Sequence, residues 1–220
     1  EVKAAFPHVT VIQGYGLTET SPYITVTDPD NAEKKMASIG KPVPGVEVEV
    51  VDAKGAVLPV GQVGEIITRG FHVMKEYHGL PHATREKLKD GWFYTGDIGK
   101  FDEDGYLYHL GRKDDMIITG GLNVYPAEIE NVLSQIPDVW EVAAYGIQDA
   151  LRGEVIYASV VLNPESPYGK DDLLAYCREN LARFKVPNKI EIKKELPKNN
   201  IGKIDKLALV KEAKTQYSST

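Results

Sequence analysis

Four short segments of this 220-residue chain carry residue types that could do chemistry. In Gly14–Glu19, GYGLTE, the glycines permit a tight turn, and the Thr18 hydroxyl and Glu19 carboxylate could meet a phosphate and a divalent cation. Tyr15 in the same segment could stack on a base. In Trp92–Asp97, WFYTGD, an aspartate follows Thr-Gly at the end of an aromatic strand, where it could accept two ribose hydroxyl hydrogen bonds or simply cap a turn. In Gly111–Glu130, GRKDDMIITGGLNVYPAEIE, the Arg-Lys-Asp-Asp run is too charged to be buried without partners, so the strand before it must emerge toward solvent or a ligand. The bare backbone of Gly120-Gly121 could let a substrate pass closely. Lys198–Lys203, KNNIGK, sets a long cation just after a glycine, where it could swing into a phosphate site, although the GxxxxGK spacing of a Walker loop is absent.

Other candidates read as structural. Asp102-Glu-Asp-Gly105 is a hairpin turn, because an EF-hand register would put Lys100 in the first ligand position and Gly111 in the twelfth. Cys177 shares a helical stripe with Leu173, Leu174 and Leu181, which makes it core rather than nucleophile. His78 and His82 are four apart, but Pro81 lies between them and no third ligand accompanies them, so the histidines are set aside as metal ligands.

The elements that must position these groups are short. Val9 to Ile12 reads as a lone strand, followed by the glycine loop and a polar loop to about Ser38. Alternation at Val46, Val48 and Val50, then Ile66 and Thr68, then Tyr106 and Tyr108 predicts antiparallel strands over residues 40–112, forming a small barrel or sheet. Beyond residue 114 the order is a strand, a helix at 126–136, strands at Val139–Ile147 and Val155–Leu162, a helix at 171–183, a strand at Ile190–Lys194 and a last helix from about Asp205. That order predicts an α+β domain with helices packed on a sheet. Pro126 near the first turn, with Glu128 and Glu130 near the positive helix end, marks the start of the first of these helices.

Composition narrows the class. A chain that is 42% hydrophobic and 26% charged is ordinary for a soluble globular protein, and it has no apolar run near the ~20 residues of a membrane span. The opening residues do not have signal-peptide form, and a single cysteine rules out an internal disulfide framework, which suits a reducing cytoplasm. A net charge of -6 gives no electrostatic footprint for nucleic acid. Between Arg183 and Lys214, however, Lys and Arg outnumber Asp and Glu by six, a solvated basic face on charge alone or a polyphosphate partner. Glu1 in place of an initiator Met, together with the lone strand after it, suggests a piece of a longer chain.

Taken in order, GYGLTE, GEIITRG (64–70), YTGD, GRKDDMIITGGLNVYPAEIE, FKVP (184–187) and LPKNNIGKIDK resemble the C-terminal half of the acyl-adenylate-forming enzymes, which include acyl-CoA synthetases, firefly luciferase and the adenylation domains of peptide synthetases. The resemblance covers essentially the whole chain and looks closest to fatty-acid CoA ligases. It implies that residues 1–113 are the end of a large AMP-binding domain, with an α/β tail to about 39 and then a β-rich part, and that 114–220 are a mobile C-terminal domain hinged at Asp114. It implies ATP, AMP, Mg²⁺ and coenzyme A as ligands and a fatty acid as substrate, with a homodimer as an option. Tyr15 would lie against adenine, Gly16 would be among the cofactor-binding residues, Thr18 would contact the phosphate, and Glu19 would hold Mg²⁺. Asp97 would bind the ribose hydroxyls, Arg112 the ribose or phosphate, Lys203 the carboxylate and α-phosphate during adenylation, and Gly121 would line the pantetheine tunnel. The second lysine of luciferase-like enzymes is replaced by Ile118, and the Ser/Thr/Gly-rich phosphate loop of the family's upstream half is not among these residues. The chain is therefore expected to be inactive alone. An aryl-CoA ligase, a luciferase-like enzyme and a non-catalytic nucleotide- or protein-binding module are the alternatives.

Overall fold

The computed structural model describes residues 5, 6 and 8–217. The chain divides between Lys113 and Asp114 into two compact units. In the first, β1 (Gly14–Tyr15), β2 (Thr25–Val26) and β3 (Lys41–Pro42) form a small antiparallel sheet in that order. A second sheet contains β4 (Val46–Val51) and β5 (Gly64–Gly70). After α1 (Pro81–Lys87), it is completed by β6 (Leu88–Lys89), β7 (Trp92–Phe101) and β8 (Leu107–Arg112). Its order is β4-β5-β7-β6, with β8 also paired to β7. The expected barrel or sheet is therefore an open antiparallel sheet, since its ends do not pair to close it. Ile39, Val50, Ile66 and Leu107 form its core, against which Tyr15 also packs.

Residues Val9 to Ile12 are not a strand; all three apolar side chains among them are about half exposed, and pairing in this region begins only at Gly14. A strand needs a ladder partner for its backbone groups, and among the described residues this segment has none. The expected loop to Ser38 is interrupted by β2 at Thr25–Val26, which pairs with β1 and β3, and is without strand after it, where Lys35 fastens it to Asp102 and Asp104 at 2.6 and 2.7 Å. The acidic turn between β7 and β8 is thus engaged by a lysine, and its Asp102 side chain accepts from the Asp104 and Tyr106 amides within the turn.

In the second unit, β9 (Ile117–Thr119) and β10 (Leu122–Val124) form a hairpin, followed by α2 (Pro126–Leu133), β11 (Val139–Asp149), β12 (Gly153–Leu162), α3 (Lys170–Asn180), β13 (Lys189–Lys193) and α4 (Lys206–Tyr217). The sheet order is β10-β9-β12-β11, and β13 joins β12 in parallel. Ala144, Ile156, Ala158 and Val160 face one core with Ile129, Leu133, Leu173 and Cys177 of α2 and α3. Tyr145, Ile147, Val155 and Tyr157 face another with Leu209 and Ala213 of α4. With both faces covered, β11 and β12 carry nearly continuous apolar runs. The first two helices end earlier than the spacing predicts, at Leu133 and Asn180, although Ile136 is still buried as the chain turns. Among the described residues no helix is long and apolar enough to cross a membrane.

Candidate functional site

The centre of the first unit is Asp97, a carboxylate only 2% exposed. Contrary to the sequence expectation, it lies at neither the end of a strand nor a turn cap, because β7 runs on to Phe101. Between the pairs Ile67–Tyr94 and Glu65–Ile98, residues 95–97 of β7 stand opposite Ile66 alone, so the Thr-Gly-Asp triplet is a bulge. Thr95 fixes it by donating to the Ile66 carbonyl at 2.7 Å and accepting the Asp97 amide at 3.0 Å. Gly96 has φ of +77°, and a Cβ there would crowd Arg112 Nη2 at 3.0 Å and Lys87 Nζ at 3.1 Å.

Asp97 collects donors from three places in the sequence. The Tyr15 hydroxyl donates to Oδ2 at 2.6 Å, Arg112 Nη1 to Oδ1 at 3.0 Å, and His109 Nε2 lies 3.5 Å from Oδ1. Arg112 is the ladder partner of Asp97. His109 and Arg112 would point to opposite faces of a regular strand, but the register of β8 shifts by one residue between them, so both reach the same carboxylate. Burial would raise the Asp97 pKa; the hydrogen bonds from His109 and Tyr15 and the Arg112 charge outweigh it and hold the carboxyl below its usual range. Burial and the Asp97 charge push the Tyr15 hydroxyl far up, so it stays a donor.

Gly14 and Gly16 serve close approach rather than turn geometry. A Cβ at Gly16 would fall 1.4 Å from the Pro22 carbonyl oxygen, and one at Gly14 would strike the Tyr23 ring. Thr18 and Glu19 follow on a single 3-10 turn, with Thr18 exposed. Buried Thr20 braces that turn by exchanging hydrogen bonds with the Leu17 amide and carbonyl. The Met74 amide donates to the Glu19 carbonyl at 2.7 Å and the Tyr77 hydroxyl donates to its Oε1, also at 2.7 Å. Burial and the Glu19 contact raise the Tyr77 hydroxyl to about 12. One such carboxylate suits Mg²⁺, which takes one or two protein carboxylates and completes its shell with phosphate oxygens and water.

The second unit holds the other sequence candidates. Asp114 and Asp115 are exposed on a 3-10 turn at its start. Gly120 and Gly121 form the tip of the β9–β10 hairpin with φ of +56° and +78°, and no atom would meet a Cβ at either. Lys203 is exposed in a turn closed by the Lys198–Ile204 bridge, its amide held by the Asn199 side chain at 3.0 Å. At least five of the ten basic residues in the segment around it are ion-paired: Lys185 with Glu128, Lys189 with Glu191, Lys193 with Glu212, Lys198 with Glu141 and Lys206 with Glu130. Cys177 is buried, and burial raises its thiol to about 11, in keeping with a core role. The sequence reading passed over His109, Tyr77 and Lys87; regular alternation in this strand would have turned His109 away from Arg112.

The family model described as AMP-binding enzyme matches residues 1–78, and that described as AMP-binding enzyme C-terminal domain matches residues 128–203. A long-chain-fatty-acid--CoA ligase of Salmonella typhimurium is 43% identical over 93% of this chain and 36% of its own length. A feruloyl-CoA synthase of an Amycolatopsis species is 44% identical over 88% of this chain and 39% of its own. The ATP-bound crystal structure of MatB from Rhodopseudomonas palustris superposes with a TM-score of 0.85 at 38% identity, covering 94% of this chain and 41% of that one. The chain thus spans about two fifths of the length of the relatives it matches.

Proposed function

This chain belongs to the AMP-binding enzyme family, and we propose that the whole protein is an AMP-forming acid–thiol ligase that acts on a fatty acid. A carboxylate oxygen attacks the α-phosphorus of ATP and pyrophosphate leaves, giving an acyl adenylate. The thiolate of coenzyme A then attacks the acyl carbon, forming the thioester as AMP departs with the bonding electrons. The observation that carries this reading is the convergence of Tyr15, His109 and Arg112 on Asp97, a buried polar cluster with more donors than a structural turn needs.

In this reading Asp97 takes the ribose hydroxyls, and the Tyr15 hydroxyl stands where one of them would donate, so nucleotide entry exchanges one O–H donor for another. Tyr15, freed from that bond, lies against adenine, with Gly16 among the cofactor-binding residues. Arg112, 42% exposed at its side chain, keeps one face toward Asp97 and offers the rest of its fork to ribose or phosphate. Thr18 donates to the phosphate, and Glu19, oriented by Tyr77, is the residue that would hold Mg²⁺. The ion would neutralise phosphate charge when bound. Lys203 stabilises charge developing on the α-phosphate and carboxylate. Asp114 is the pivot that lets the second unit serve both half-reactions, and Gly121 lines the path of the pantetheine arm.

An aryl carboxylate is the second reading, favoured by the 44% identity to a feruloyl-CoA synthase. A substrate panel separates the two: the full-length protein should exchange pyrophosphate into ATP with C8–C18 fatty acids and not with cinnamates. Exchange with cinnamates alone would replace the fatty acid by an aryl substrate, and no exchange with any carboxylate would sink the ligase reading.

A further inference from the structure

We propose that Glu154 is a positioning residue for thioester formation, holding the Gly120–Gly121 turn in place through the backbone amide of Ile118. This rests on the reading that the turn borders the pantetheine path.

The hairpin needs such a hold. Its strands are three residues each, and a two-stranded hairpin is marginal by itself. Toward the rest of the sheet it has one ladder pair, Thr119 with Gly153, because β13 occupies that edge of β12 from Tyr157 onward. Two further bonds fasten it. The Gly120 amide donates to the Arg152 carbonyl at 2.8 Å, and the Ile118 amide donates to Glu154 Oε2 at 2.7 Å. The second is charge-assisted and lies two residues before the turn. Gln148 steadies the other oxygen, with Nε2 at 3.4 Å from Oε1.

Gly146 on β11 makes the arrangement possible. It sits diagonally across from Glu154 in the ladder, and a Cβ there would lie 2.7 Å from Glu154 Oε1 and 3.2 Å from Ile117 Cγ2. A larger residue there would force the Glu154 carboxylate to shift from this position. Glu154 also borders an open cleft of about 460 Å³ together with Ile118, Gly121, Gln148 and Arg152, so displacing it both loosens and reshapes the wall beside the turn.

The test uses the full-length protein. Glu154→Ala should raise hydrogen exchange of the 117–124 hairpin and lower the kcat of thioester formation about tenfold, with pyrophosphate exchange within about twofold of wild type. Glu154→Gln, which keeps an oxygen for the Ile118 amide, should recover most of the rate. Gly146→Ala should reproduce the Glu154→Ala loss, and the double variant should add little to either, because both remove one bond. Equal losses in both half-reactions, or an unchanged hairpin, would overturn the role. Wild-type protein without thioester activity would instead overturn the ligase reading, and is told apart from an active wild type whose Glu154→Ala variant is equally active.

Discussion

Two cations that we propose serve the same nucleotide are held in opposite ways. Arg112 is a ladder residue bound to a buried carboxylate and to the Thr95 carbonyl, whereas Lys203 is exposed on a turn whose backbone, not its side chain, is fixed. The first is preorganised and part of what holds its sheet together. The second has an exposed side chain, as would suit the single half-reaction proposed for it. Function and stability should therefore be inseparable around Asp97 and separable at Lys203.

The sharpest way to break that contrast is Lys203→Ala in the full-length protein. Pyrophosphate exchange should fall about 10²- to 10³-fold, the scale of losing one transition-state charge contact, while the urea midpoint stays put. A shifted midpoint would mean that Lys203 is structural after all.

Asp97→Ala should do the reverse first, costing about 2–3 kcal/mol in urea unfolding of this chain by leaving Tyr15, His109 and Arg112 without their acceptor. The effect carries a pH signature. Because the folded carboxyl is depressed below its ordinary 3.8, its contribution is complete well above that value, fades as pH falls through it, and is gone below the folded pKa. Wild type should accordingly lose its advantage over the alanine variant on acidification, and an advantage constant down to the acid limb would remove Asp97 from the ion-paired role.

Gly96→Ala should have the smallest effect, about 1–2 kcal/mol in the same urea assay, from forcing a side chain to φ of +77° beside Arg112 and Lys87. A neutral result would show that the bulge can relax and that the cluster is less rigid than Lys203's surroundings.

Much of the second unit was legible because its elements advertise themselves. Pro126 begins a helix, Leu173 and Cys177 fall on one buried stripe, and β11 and β12 are too apolar to be anything but covered strands. Helix ends were less legible: Ile136 keeps the helical spacing of its apolar neighbours while the backbone has already turned, because burial depends on where a side chain lands and not on its dihedrals. Val9 to Ile12 shows the converse, an apolar run without a partner to pair with.

Around the site, sequence chose the chemistry and the fold chose the partners. Gly, Thr, Asp, Arg and Lys in their order were enough to name the family resemblance, the nucleotide-facing candidates and the glycine turn, because these depend on residue type and on close spacing along the chain. What no local pattern contained was that Tyr15 and Asp97, 82 residues apart, share a hydrogen bond, or that His109 and Arg112 face the same way. Those facts depend on a bulge in each of two neighbouring strands. The one-residue bulge in β8 reverses side-chain parity, while the three-against-one bulge in β7 keeps parity and re-aims Asp97 locally; whether either forms is settled by the ladder on both sides, which only the tertiary structure supplies.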